Sequence, residues 1–428
     1  MTMPADRPAA LLTMAEYYGT LAGVRALGRA GVAVWVADAA RLSPARWSRH
    51  ATATPICPDP ETAPAAFVDW LVALGRRMPG TVILPTSDGL EWLLAVHRER
   101  LAPHFRLAVP DLEAVYSVLN KWRLREACLG SGLDAPWTAL PENDDALDRL
   151  SREATFPLIV KPQTQVGLWP HQKGRVVHSA SELRGLYTDL CRSTQVQPAL
   201  LAIDPGAARP LLQAFAPSAA EGIYSLSGFV HRARRIFVVQ ASRKILQRPR
   251  LLGTGLCFEE AEVLADLAAG VERLCHRVGL DGVFEVEFVE VGGRRQVIDF
   301  NPRFFGQMAF DVDRGVNLPL LAYLAAIDDG PALDRVAAEA RDAAARRTGR
   351  TFCNRVQLRS HLLLRRLAGS APPGEAARWN GWLRQHAGRV TDPCIDAEDL
   401  APGLVEVLRE ARATLRHPRA AWRAARRG

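Results

Sequence analysis

Val283 to Arg303 reads VFEVEFVEVGGRRQVIDFNPR, and its pattern decides the fold. Alternate residues of an extended strand face the same side, so Glu285 and Glu287 share a face with Val283 and Val289. Acids inside so apolar a strand are costly to bury unless they are paired or bound to a cation. Gly292-Gly293 turns the chain, and Gln296 to Phe300 returns as the second strand of a β-hairpin. Asp299 and Asn301 then share one face of the returning strand. Across such a hairpin Glu287, Asp299 and Asn301 can converge as oxygen ligands. Two carboxylates and an amide carbonyl suit Mg²⁺, a hard cation that keeps waters and shares phosphate oxygens. Mn²⁺ would fit the same donors, and two ions are expected. Arg303 follows within reach of the same phosphates, where its planar fork suits bidentate contact.

The rest of the chain gives this hairpin a setting. At 428 residues it is long enough for about three domains. With 48% hydrophobic and 23% charged residues its composition is globular, which excludes disorder or a collagen-like fibre for most of its length. No stretch approaches the roughly 18 apolar residues of a membrane span. Residues 1–8 do not read as a secretory signal. Seven cysteines are scattered singly with no Cys-x-x-Cys pair. That argues against a zinc cluster or a disulfide framework and for small buried thiols. A cytoplasmic location is the expectation.

Formal net charge is +8, yet only four of the 54 basic residues are lysine: Lys121, Lys161, Lys173 and Lys244. Lysine is a compact point charge on a flexible stem, where arginine is a planar fork. The four survivors are therefore candidates for roles that arginine cannot fill.

Three regions emerge. Residues 1–115 alternate strands and helices, with Val32 to Ala37 and Thr81 to Leu84 as buried strands and Gly19 to Ala30 as a helix. This is the logic of a parallel sheet in an α/β domain. The turn at Tyr17 to Gly23 lacks G-x-G-x-x-G, which argues against dinucleotide binding. Residues 116–330 hold the chemistry. Phe156 to Pro162 is a strand bearing Lys161, Gln163 to Gly174 a polar loop with Lys173, and Leu211 to Phe215 a strand leading to Glu221. Ile223 to Val230 and Arg235 to Ala241 read as a strand pair, and Glu259 to Gly279 as a helix. Residues 331–428 read as helices and loops. In the last stretch Arg409, Arg412, Arg416, Arg419, Arg423 and Arg426 share one helical face, apart from a kink expected at Pro418, and Leu404, Leu408, Ala411 and Leu415 fall on another. Either this is a solvated face in an arginine-rich chain, or a basic helix for an acidic surface or membrane.

Lys161 on its strand, Glu287, and Asp299-x-Asn301-x-Arg303 twelve residues later resemble the ATP-grasp superfamily. Within it the chain is most similar to carboxylate–amine ligases related to D-aspartate ligase and to the carbamoyl-phosphate synthase large chain. The resemblance covers about residues 10–330. It implies a pre-ATP-grasp Rossmann-like domain at 1–115 and a two-lobed α+β ATP-grasp domain at 116–330. The latter divides into a lid at about 151–212 and a catalytic part at about 213–330, followed by a helical C-terminal extension at 331–428.

The resemblance also implies roles. Lys121 and Lys161 contact ATP phosphates, and Lys173 in the lid loop follows the γ-phosphate. Gln213, Ala214 and Phe215 form the hinge that reads adenine, and Glu221 takes the ribose. Arg243 and Lys244 lie near the transferred phosphoryl group. Glu287, Asp299 and Asn301 bind Mg²⁺, and Arg303 steadies the acyl phosphate. Two departures stand out: the lid loop has one glycine, Gly167, and Asp299 replaces the more usual glutamate. The implied reaction joins a small-molecule carboxylate and an amine through an acyl phosphate, releasing ADP and phosphate. A carboxylating or carbamoyl-phosphate-type enzyme and a non-catalytic nucleotide-binding partner are the alternatives. Nucleic acid is not expected as a partner; a homodimer is compatible. Glu285, Arg314 and Thr86-Ser87-Asp88 are candidates for substrate contact.

Overall fold

A computed structural model describes residues 7–169, 174–216, 222–249 and 253–416. The first sheet is fully parallel in the order β2-β1-β3-β4: β1 Ala10–Leu12, β2 Val34–Val36, β3 Thr81–Ile83 and β4 Phe105–Leu107. Its strands are short apolar runs with helices over them, as the α/β reading expects. The second sheet is antiparallel, in the order β5-β10-β6-β8. It contains β5 (Thr138–Ala139), β6 (Leu158–Lys161), β8 (Arg175–Val177) and β10 (Leu211–Ala214). Beside it β7 (Leu168–Trp169) pairs with β9 (Gln195–Val196).

The third sheet is the largest, in the order β15-β14-β11-β12-β13-β16-β17. Its strands are β11 Ile223–His231, β12 Ile236–Arg248, β13 Thr254–Ala261, β14 Gly282–Val291, β15 Arg294–Asn301, β16 Thr351–Cys353 and β17 Val390–Thr391. The β14–β15 turn is made by Gly292 and Gly293 at φ +57° and +78°, both left-handed, as a tight hairpin requires. One face of this sheet is apolar. Phe284, Val286 and Phe300 pack there with Val271 and Leu274 of the helix Ala265–Val278. The other face carries the acids and faces a cleft.

The structure corrects two boundaries. Residues 259–261, expected in a helix, belong to β13, paired in register with β12, and the helix begins at Ala265. The strand ends in Glu259-Glu260, two acids in succession that show no two-residue alternation to part them from the helix that follows. Region 331–428 carries the expected helices but also supplies β16 and β17, so it extends the third sheet. Among the described residues no helix is long and apolar enough to cross a membrane.

The first domain leans directly on the end of β15. A Cβ on Gly19 would meet the Phe305 backbone oxygen at 2.7 Å, and one on Gly23 would meet the Phe304 ring at 2.8 Å. These glycines serve helix-to-backbone packing, not a pyrophosphate. That packing brings residues 85–88 of the first domain to Arg303.

Candidate active site

The register of β14 and β15 sets the site. Glu287 lies opposite Asp299 and Glu285 opposite Asn301, with a bulge just after Glu287. Side chains directly opposite on one face sit about 4.5–5.5 Å apart at Cβ. Two carboxylates are thus forced together, and each is met by a lysine from elsewhere. Lys244 of β12 donates to Glu287 Oε1 at 2.5 Å, and Lys121 pairs with Asp299 Oδ1. Lys121 opens the helix Lys121–Leu129, capped by Asn120, and its backbone N–H donates to the Gln163 carbonyl of the lid loop at 2.6 Å. Lys161, the last residue of β6, approaches the same pair from the lid but has no ion-pair partner among the described residues.

Arg303 is held on two sides. It donates to Asn301 Oδ1 at 2.7 Å and to Asp88 Oδ1 of the first domain at 2.7 Å. Asn301 donates in turn to Glu285 Oε2 at 2.9 Å, and Gln307 donates to Glu285 Oε1. The site therefore joins residues beside the first sheet, at the end of β6 in the second sheet and on the third sheet. It opens into a cleft of 1500 Å³.

The charges perturb one another in a consistent way. Burial, with Lys121 nearby, pushes Lys161 down to about 7. Burial would do the same to Lys244, but the Glu287 carboxylate outweighs it and holds that amine above its ordinary value. Burial and the neighbouring Glu287 push Glu285 up to about 7. Burial would raise Asp299 as well, but Lys121 keeps it below the usual carboxylate range.

Not every expected residue is here. Arg243 and Lys244 are adjacent in β12, so their side chains leave opposite faces of the sheet. Lys244 faces the acids. Arg243 aligns with Tyr224 and Glu259, bonds Glu259 at 3.1 Å, and is 58% exposed beside a separate cavity on the reverse face. The two cannot both reach a phosphoryl group. Gln213 is buried and donates to Thr138 Oγ1 at 3.0 Å, while the N–H groups of Ala214 and Phe215 donate to the Trp137 and Pro157 carbonyls. Those two N–H groups are spent inside the lid sheet. Lys173 and Glu221 lie outside the described residues. Arg314 is a buried structural residue that bonds Asp311 and the Ala241 carbonyl, each at 2.8 Å.

Sequence reasoning missed Gln307 and the clamp that Asp88 places on Arg303. Gln307 carries no local signal: it follows a turn and matters only because it lands on Glu285. It also missed that the helix Ala401–Arg416 forms one wall of the cleft, contributing Arg409, Arg412 and Arg416.

The donor set fits a divalent cation. The second oxygens of Glu287 and Asp299 carry no hydrogen bond among the described residues, and the side-by-side carboxylates supply the charge. No group of three or more His, Cys, Asp or Glu side chains is gathered among the described residues. Glu287, Asp299 and the Asn301 amide oxygen are the hard donors that would hold such an ion, and they suit Mg²⁺.

Comparison with known proteins places this architecture. Over 74% of its length the chain superposes, with a TM-score of 0.59 and 13% identity, on 69% of the biotin carboxylase domain of 2-oxoglutarate carboxylase from Hydrogenobacter thermophilus. That structure was solved with MgADP, ADP and bicarbonate. An L-amino acid ligase from Bacillus licheniformis matches over 75% of each chain, with a TM-score of 0.52 and 13% identity. The chain has the ATP-grasp fold. In sequence, 52% of it is 24% identical to the carbamoyl phosphate synthase large chain of Deinococcus deserti. The match spans about a fifth of that relative's length, 21%. No family model matches the chain.

Proposed function

We propose that the protein is an ATP-dependent carboxylate–amine ligase that works through an acyl phosphate and releases ADP and phosphate. The observation that carries this reading is the Glu287–Asp299 pair, ringed by Lys121, Lys161, Lys244 and Arg303 at the floor of the cleft. Adenine binding alone would need none of these charges. Phosphoryl transfer is chiefly positioning and charge neutralisation, and this ring provides both.

Lys161 and Lys121 hold the phosphates from the lid side, and Lys244 neutralises the transferred group. Glu287, Asp299 and Asn301 would hold Mg²⁺, which would supply charge neutralisation for phosphoryl transfer. Arg303, held in place by Asp88, Asn301 and the Phe304 carbonyl, keeps one N–H on each terminal nitrogen for the activated carboxyl. The lid excludes water from the acyl phosphate until an amine attacks. With the N–H groups of Ala214 and Phe215 spent, the hinge carbonyls are left to contact adenine. A second reading, with bicarbonate as the carboxylate, is favoured by the bicarbonate in one of the matched structures and by the matched segment of carbamoyl phosphate synthase.

The test is product release from MgATP against pooled amino acids and small carboxylates, with bicarbonate as a separate arm. ADP and phosphate that depend on the pool, and fall away in Glu287→Gln, are the expected result. ADP release with bicarbonate alone would favour the second reading. AMP and pyrophosphate would overturn the acyl-phosphate route, and MgATP binding without turnover in any arm would point to a non-catalytic partner.

A further inference from the structure

Two helices of the C-terminal region lie side by side on the outside of the molecule. In the pair Arg355–Leu367 and Ala401–Arg416, Gln357 bonds Glu406 at 3.4 Å and Ser360 bonds Glu410 at 2.6 Å. The contacts advance together along both chains, so the helices run parallel. On the first helix Leu363 and Leu367 stand beside this seam. On the second, Val407 stands beside the seam, and Leu404, Leu408 and Leu415 stand on the side turned away from the first helix. These six side chains are 50–80% exposed. Along the two helices on the order of 600 Å² of apolar side chain is thus exposed, against the roughly 300–600 Å² of the largest patch on a typical monomer.

The charges around these side chains are of one sign. Arg359, Arg366, Arg412 and Arg416 are exposed and have no ion-pair partner among the described residues. The first helix has no acid at all. Both acids of the second turn inward: Glu406 bonds Tyr18 and Arg409, and Glu410 bonds Arg248 and Ser360. Residues 417–428 add four more arginines and Trp422 to the sequence. A second copy of the chain is a poor occupant, because a two-fold interface would set these arginines against their own counterparts.

We propose that this two-helix face docks on an anionic lipid surface. The leucines enter the boundary between headgroups and acyl chains, and the arginines pair with headgroup phosphates, as interfacial amphipathic helices do. Arg412 and Arg416 also line the catalytic cleft, so docking holds the mouth of the cleft beside the bilayer. The proposal stands independently of the ligase reading.

The test is co-sedimentation of the full chain with mixed phosphatidylglycerol–phosphatidylcholine vesicles and with pure phosphatidylcholine vesicles. Binding to the anionic vesicles that high salt reverses is expected. Arg359→Ala and Arg366→Ala should each weaken it by about fivefold. Leu404→Gln with Leu408→Gln should abolish it while leaving the melting temperature unchanged, since these side chains are exposed in the free chain. The proposal is overturned if the chain stays in the supernatant at low salt, or if the double leucine variant binds as the parent does. A dimer in sedimentation analysis that the leucine substitutions dissolve would overturn it too, placing a second copy on the face.

Discussion

Two charged clusters use the same residue types for opposite ends. One is the cleft floor. The other is a clasp where the C-terminal region grips the first domain. In the clasp, Arg25 donates to Asp399 Oδ2 at 2.9 Å and to the carbonyls of Pro393, Cys394 and Asp399. Asp399 accepts further bonds from Ser48 Oγ and the Arg49 N–H. The Arg25 and Asp399 side chains are only 6% and 1% exposed. In the cleft, among the described residues, Lys161 has no ion-pair partner, and one oxygen on each of Glu287 and Asp299 accepts no hydrogen bond. A saturated cluster can only hold parts together. An unsaturated one retains capacity for a ligand, and its perturbed amine and carboxyl are the cost of keeping it.

This contrast can be broken by experiment. The largest effect belongs to Glu287→Gln, which keeps a hydrogen bond for Lys244 and removes a charge. It should lower turnover by at least about 10²–10³-fold with little change in melting temperature, read by ADP release beside a thermal melt. Arg25→Ala should do the reverse. It strands a buried carboxylate and should cost about 3–5 kcal/mol of stability in a denaturant titration, with the folded fraction still active. A large loss of stability in the first variant and none in the second would dissolve the contrast.

Lys161→Met should weaken ATP binding by about tenfold or more, the value of one lost charged hydrogen bond. It should also raise the melting temperature of the nucleotide-free protein, because it removes a desolvated amine that has no ion-pair partner among the described residues. Calorimetric titration with a non-hydrolysable ATP analogue, paired with a melt, reads both.

The smallest effect is a pH slope. Burial would raise the Asp399 carboxyl, but bonds from Arg49, Arg25 and Ser48 hold it below its ordinary value of 3.8. A depressed carboxylate contributes stability above its unfolded pKa and loses it as pH falls through the folded one. From about pH 5 downward the parent should therefore lose stability faster than Asp399→Asn, measured as the difference between their denaturation midpoints.

The cleft floor was legible because its signals are local. Glu285, Glu287, Asp299 and Asn301 sit on two strands joined by a two-glycine turn, and strand alternation alone puts them on one face. The rarity of lysine marked Lys121, Lys161 and Lys244 before any contact was known. Arg243 shows the limit of reading neighbours as a unit: once Ser242 to Lys244 lie in a strand, adjacent residues must part. The expected hinge, too, came from the resemblance, whereas the bonds that commit its N–H groups come from the residues just before β5 and β6.

Period and turn chemistry along the chain thus determine the hairpin, its acidic face and the nature of the cation it suits, because each depends on residues a few positions apart. Other features rest on contacts between residues hundreds of positions apart in the chain. The Asp88 clamp on Arg303 spans 215 residues, and the clasp of Asp399 on Arg25 spans 374. No local periodicity encodes such pairs. They arise when separately folded layers meet and buried charges must find partners, and that meeting also turns a helix with no readable chemistry into a wall of the cleft.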